Sequence, residues 1–209
     1  MDPQRRNKRV RLLVRAAQRK YKEQGRQIDI LCNDMIAANR NFLKRLDTIS
    51  FAANFYESLI GITELDSLFY NTSKLIKDKI GNVNVTFFLR HSDNFSVHVS
   101  EGDGACDLEG QGLEHFFSGE LLENICNSNQ LCSIETLLAM GLNIKPALLN
   151  KISAFTIPLS QFGMSPGFIL IYRSGPNRLT AEELNNIAAV TPGLARAIQS
   201  CQAFSRTTH

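Results

Sequence analysis

The sequence predicts an α+β fold, and three observations carry that expectation. Runs with strand character come in antiparallel hairpins, with no βαβ repeat between them. Stretches of helical periodicity bracket those hairpins. Within "NKISAFTIPLSQFGMSPGFILIYRSG", the runs Ile152–Leu159 and Gly167–Tyr172 are apolar on both alternating faces. A half-buried strand is apolar on one face only, so this sheet needs cover on two sides.

The first sixty residues read as one long helix. Every seventh position from Val14 is apolar: Val14, Tyr21, Ile28, Met35, Phe42, Ile49 and Tyr56. The companion seam runs Val10, Ala17, Gln24, Leu31, Ala38, Arg45, Ala52 and Leu59, with two polar breaks. A sustained seven-residue repeat implies helices that wind around a partner. The stretch from 14 to 56 would span roughly 63 Å at about 1.5 Å per residue, longer than a small domain buries. A second copy is the natural partner, and a homodimer through this helix is expected. The plainer reading is an amphipathic helix lying on its own domain. Gly25 beside Gln24 is the weak point.

Gly61 marks the end of that helix, dividing the chain into a basic helical segment, 1–61, and a domain, 62–209. Thr63 and Asp66 resemble a capping box for a second helix. Its apolar face is Leu65, Leu68, Phe69, Leu75, Ile76 and Ile80, and Gly81 closes it. Val83–Arg90 and Phe95–Glu101 are rich in β-branched and aromatic residues and form a hairpin across "HSDN". "EGDGACDLEGQG" is a loop. Helical spacing returns at Leu113, Phe116, Phe117, Leu121, Leu122 and Ile125, then more weakly from Ile134 to Met140. A short turn or helix begins near Pro146. After the second hairpin, Thr180 and Glu183 form a capping box for the last helix. Pro192 falls inside that helix and predicts a kink.

Composition narrows the class. Hydrophobic residues make up 44% and charged residues 21%, as in globular chains. No apolar run reaches membrane-spanning length, and the basic N-terminus lacks the apolar stretch of a secretory signal. Five scattered cysteines, with no CxxC pair, fit reduced thiols better than a disulfide framework, so cytoplasmic residence is expected. Residues 1–26 carry ten Lys/Arg against Asp2 and Glu23, a balance of +8; the net +3 therefore leaves −5 on the remainder. The basic arm could contact nucleic acid through phosphates. Its charges ring most of the surface from Arg5 to Arg26 with few aromatics between them, so a solvated helix surface is favoured.

The domain resembles the GAF family of signalling and small-molecule-sensing modules over about residues 63–203. The carriers are the acid-capped helix "TELDSLFYNTSKLIKDKIG", the strand "NVTFFLR", and the closing order "ISAFTIPL", "GFILIYRSG", "LTAEELNNIAAVTPGLARAI". The resemblance implies a central antiparallel sheet with helices on both faces. Terminal helices cover one face, often in a dimer bundle. Middle helices and loops cover the other, where family members hold ligands. It implies a sensory or regulatory module, not an enzyme, that signals to a partner protein.

Within that frame, the expected pocket lies between the segment Gly112–Asn150 and the sheet. Candidate lining residues are Phe87, Leu89, Val97, Val99, Phe116, Phe117, Leu121 and Phe155, with Arg90, His98, Thr156 and Tyr172 as polar groups. Closure by Phe116, Phe117 and Phe155 would instead leave a ligand-free dimerisation or interaction scaffold. No ligand or cofactor is named by any motif. Asn150-Lys151 and Phe155 only echo cyclic-nucleotide-binding relatives, since no Asp-Glu follows. None of Cys106, Cys126 or Cys132 has an adjacent histidine, so a bilin is not expected. The same three thiols invite comparison with free methionine sulfoxide reductases of this fold. No low-pKa environment or resolving partner is visible, and no turnover is expected. His91, His98, His115 and His209 lack metal-ligand spacing.

Overall fold

The computed structural model describes residues 3–91, 94–100, 112–149, 151–160 and 166–207. Cys106, most of the glycine-rich loop, Asn150 and His209 lie outside the described residues. The chain divides into two compact units, Met1–Asp47 and Thr48–His209.

Helix α1 runs Pro3–Leu59. Throughout Arg11–Asp47 its side chains are exposed, including Val14, Tyr21, Ile28, Met35 and Phe42. Within that unit the heptad positions therefore form an exposed helix face. In the second unit the final turns of α1 change character. Phe51, Phe55 and Leu59, spaced by four, are buried in the core.

Helix α2 (Leu65–Ile80) precedes strands β1 (Asn84–His91) and β2 (Asn94–Ser100). A 3-10 turn, Leu113–Phe116, leads into α3 (Gly119–Ser128), a two-residue strand β3 (Cys132–Ser133), α4 (Ile134–Ala139) and α5 (Pro146–Leu149). Strands β4 (Ile152–Pro158) and β5 (Gly167–Ser174) and helix α6 (Ala181–Thr207) complete the order. The five strands form one antiparallel sheet, ordered β2-β1-β5-β4-β3. Where β5 begins against β1, Gly167 lets the two backbones approach closely. A Cβ there would strike the Phe88 carbonyl oxygen.

Two apolar clusters sandwich the sheet. On one face Val85, Phe87 and Leu89 of β1 and Ile169 and Ile171 of β5 meet α1, α2 and α6 through Phe55, Leu68, Ile76, Ile187, Leu194 and Ile198. On the other, Phe88, Phe168, Leu170 and Ala154 meet the middle segment through Leu113, Leu121, Ile125 and Leu137. Each such side chain, fully buried, contributes on the order of 1.5–3 kcal/mol. Burial on both faces accounts for the doubly apolar hairpin.

The capping box before α6 forms as its residues require. The Thr180 N–H donates to Glu183 Oε2 at 2.6 Å, and the Glu183 N–H donates to Thr180 Oγ1 at 3.2 Å. Thr63 does not cap α2: the N-cap is Glu64, without a side-chain capping bond. Asp66 instead sits in the first turn, where the helix dipole favours a carboxylate. α6 runs on through Pro192. Proline offers no N–H to the Ala188 carbonyl, and the Thr191 hydroxyl donates to it instead at 3.0 Å.

Candidate functional site

The edge of the sheet holds a cavity of about 580 Å³ between α2 and strands β1 and β2. α2 contributes Asp66, Phe69, Tyr70 and Ser73, whose spacing of three and four puts them on one side of the helix. β1 and β2 contribute Phe87 and His98, which are directly paired, along with Val99 and Ser100. The Phe69 ring stacks on Phe87 at 4.7 Å between centroids and lies 4.5 Å from the His98 ring. Three rings thus build an aromatic wall.

Polar groups converge on that wall. Asp66 Oδ1 lies 3.8 Å from His98 Nδ1. Burial holds the His98 imidazole below its ordinary pKa, against the pull of Asp66 and with a small push from His91. The ring is therefore mainly neutral at pH 7, with one donor and one acceptor nitrogen. Ser73 is 1% exposed, and its hydroxyl has no hydrogen-bond partner among the described residues. At the rim, Lys77 Nζ donates to the carbonyl and hydroxyl oxygens of Ser100, tying α2 to β2. An aromatic wall with a carboxylate, a neutral imidazole and an unpaired hydroxyl suits a small, partly apolar molecule that carries hydrogen-bond donors.

The opposite face is built differently. Under the middle segment the rings of Phe88, Phe117 and Phe168 stack, with Phe88 4.8 Å from Phe168 and 5.3 Å from Phe117. Tyr172 fastens the 3-10 turn to the sheet. Its hydroxyl donates to Glu114 Oε2 at 2.9 Å and accepts from the Leu113 N–H at 3.3 Å. The registers Thr86↔Leu170 and Thr156↔Leu170 place two threonines on either side of one leucine. Both are fully buried, and neither hydroxyl has a partner.

The twelve residues expected to line one pocket are divided between the two faces. Phe116, Phe117, Leu121, Thr156 and Tyr172 lie with the middle segment. Val97, Val99 and Arg90 share that strand parity and are exposed. Phe87, Leu89, Phe155 and His98 lie on the helix face instead. Antiparallel partners share a face, so Phe87 and its partner His98, with Leu89, lie together on the helix side. The edge cavity takes Phe87, His98 and Val99 from the expected set. Asp66, Phe69 and Ser73 escaped the sequence reading, which treated α2 as core alone. Their signal was the i, i+3, i+7 spacing of an acid, an aromatic and a hydroxyl.

Of the three thiols compared with the reductases, the two among the described residues, Cys126 and Cys132, are buried. Burial pushes the Cys126 thiol up to about 11, outweighing Arg90, with Glu123 adding to the rise. Cys132 is buried, and its Sγ donates to the Gln130 carbonyl at 3.4 Å. Among the described residues no group of three or more His, Cys, Asp or Glu is arranged to hold a metal ion. Also among them, no helix is long and apolar enough to cross a membrane.

No family model and no curated protein sequence matches the chain. Solved structures do, and at low identity they establish the fold. The GAF domain of a phosphoenolpyruvate-protein phosphotransferase from Coxiella burnetii superposes with a TM-score of 0.58 at 12% identity, covering 77% of this chain and 98% of its own. The corresponding GAF domain from Acinetobacter gives 0.56 at 10% identity, covering 76% and 97%. A far-red absorbing dark state with bound biliverdin IXα gives 0.52 at 18% identity, covering 73% and 99%. The chain has a GAF-like fold, preceded by a long N-terminal helix.

Proposed function

We propose that this chain is a sensory or regulatory GAF-type module that dimerises through α1, binds a small molecule and signals to a partner protein. The observation that carries the reading is the edge cavity. Its volume suits a metabolite, and it joins an aromatic wall to Asp66, His98 and the unpaired Ser73 hydroxyl. The scattered free thiols fit residence in the cytoplasm. The raised Cys126 pKa speaks against the thiol-reductase alternative.

A specific observation favours a ligand-free scaffold as the second reading. The stacked Phe88, Phe117 and Phe168 rings occupy the space beneath the middle segment, where the family's ligands were expected. A thermal-shift screen against pooled metabolites separates the two. Binding at a hundred times Kd adds about 2.7 kcal/mol of stability. The sensor reading expects at least one pool to raise Tm in the wild type and to lose that effect in Ser73→Leu, which fills the cavity. A shift that survives Ser73→Leu places the ligand elsewhere. No shift with any pool leaves the scaffold.

A further inference from the structure

The arm as a whole, from Arg5, is expected to ring its helix with charge; between Arg11 and Arg26 the charge concentrates on one side of α1. At about 100° per residue, Arg11, Arg15, Arg19, Lys22 and Arg26 fall within roughly 80° of one another. All five are exposed. Lys20 alone of the six cations between residues 11 and 26 lies off this stripe, and Glu23 is the sole carboxylate in that stretch, leaving a balance of +5. The seam of Val14, Ala17, Tyr21 and Ile28 is centred roughly 130° away around the same helix. A second copy on the seam and an anionic partner on the stripe can therefore be held together, and the two uses do not compete.

We propose that this stripe docks on double-stranded DNA through the phosphate backbone, without reading sequence. Four of the five cations are arginines, whose planar fork meets phosphate oxygens in pairs. The stripe is roughly 22 Å long at about 1.5 Å rise per residue. One helix of the pair, about 10–12 Å across, can present the stripe to the B-DNA major groove, about 12 Å wide, with phosphates along both walls. A lipid surface fits less well, because a helix lying in a membrane interface buries its apolar face there, and in the proposed dimer that face is taken by the second copy. The five cations are assigned to phosphate oxygens, which carry no sequence information. This proposal is independent of the ligand reading of the edge cavity.

The test is fluorescence anisotropy of a labelled mixed-sequence 20-base-pair duplex titrated with the full chain. Five phosphate contacts predict that affinity falls by roughly two to three orders of magnitude between about 50 and 200 mM salt. Arg15→Glu/Arg19→Glu should weaken binding more than about tenfold, and Lys20→Glu/Arg40→Glu, with the same change in net charge, less than about threefold. Circular dichroism and sedimentation of each variant confirm an intact helix and an unchanged assembly. Equal losses in the two variants would overturn the stripe. So would absence of duplex binding at 50 mM salt, or binding to phosphatidylserine vesicles and not to the duplex under the same conditions.

Discussion

Two hydroxyl groups test how the middle face is used. Thr86 and Thr156 are fully buried, and neither finds a hydrogen-bond partner. A buried hydroxyl left unsatisfied costs roughly 1–3 kcal/mol, and an apolar group of the same shape removes that cost. Thr86→Val and Thr156→Val should each raise the free energy of unfolding by about 1 kcal/mol in urea titrations. A loss of stability in either variant would mean that its hydroxyl holds a bound water or ligand. His98 sets a pH dependence. Its folded-state pKa lies below the ordinary 6.5, so the unfolded chain takes up the proton more readily. The His98 contribution is therefore neutral at higher pH and increasingly destabilising as pH falls below about 6.5. Urea midpoints measured from pH 7.5 to pH 5 should drop less in His98→Gln than in the wild type, and parallel curves would refute the assignment. The candidate site was only partly legible in the sequence for a related reason. In "VNVTFFLR" Val83, Val85, Phe87 and Leu89 share the apolar parity, yet nothing in that alternation says which layer of helices it will face. The length of strand was readable there, while its orientation was decided by packing across the sheet.

Between elements, the end of α1 fits closely on α6 inside the second unit. Tyr56 donates its hydroxyl to the Ala189 carbonyl at 3.0 Å, and its ring lies where a side chain on Gly193 would begin. Gly193→Ala should lose about 1–2 kcal/mol. Overpacking costs roughly 1–3 kcal/mol, and the better helix propensity of alanine returns less than about 1. In a Tyr56→Ala background the same change should be neutral or stabilising, so the double-mutant cycle should show coupling above about 1 kcal/mol. Additive losses would show that the ring does not dictate the glycine. Elements with strong local signals were legible: α1 from its heptads, α6 from Thr180 and Glu183, and both hairpins from their β-branched runs. The two-residue β3 was not, because Cys132 and Ser133 become a strand only by pairing with Thr156 and Phe155. The start of α2 was misread by one residue. Thr63 has the right chemistry for a cap, yet the backbone turns at Glu64.

At the scale of the whole molecule, α1 poses the question of assembly. Between Val14 and Phe42 the heptad positions are exposed, with Tyr21 76% and Met35 70% accessible. A repeat of seven keeps such a seam facing one partner over its whole length, and a second copy presents the same seam. Burying about 0.8 kcal/mol per methylene over five apolar layers outweighs the few polar breaks at Gln24 and Arg45. The outward direction of Arg11, Arg15, Arg19, Lys22 and Arg26 keeps most of the positive charge off the contact, which limits repulsion between paired arms. The wild type should therefore sediment as a dimer at micromolar concentration. Ile28→Lys/Phe42→Lys places two charges per chain in the seam and should give monomers. The core around Phe55, Leu68 and Ile198 is built from residues outside that seam segment, so the variant's sheet should keep its cooperative unfolding. A monomeric wild type would refute the assembly. A dimeric double variant would move the contact to another surface.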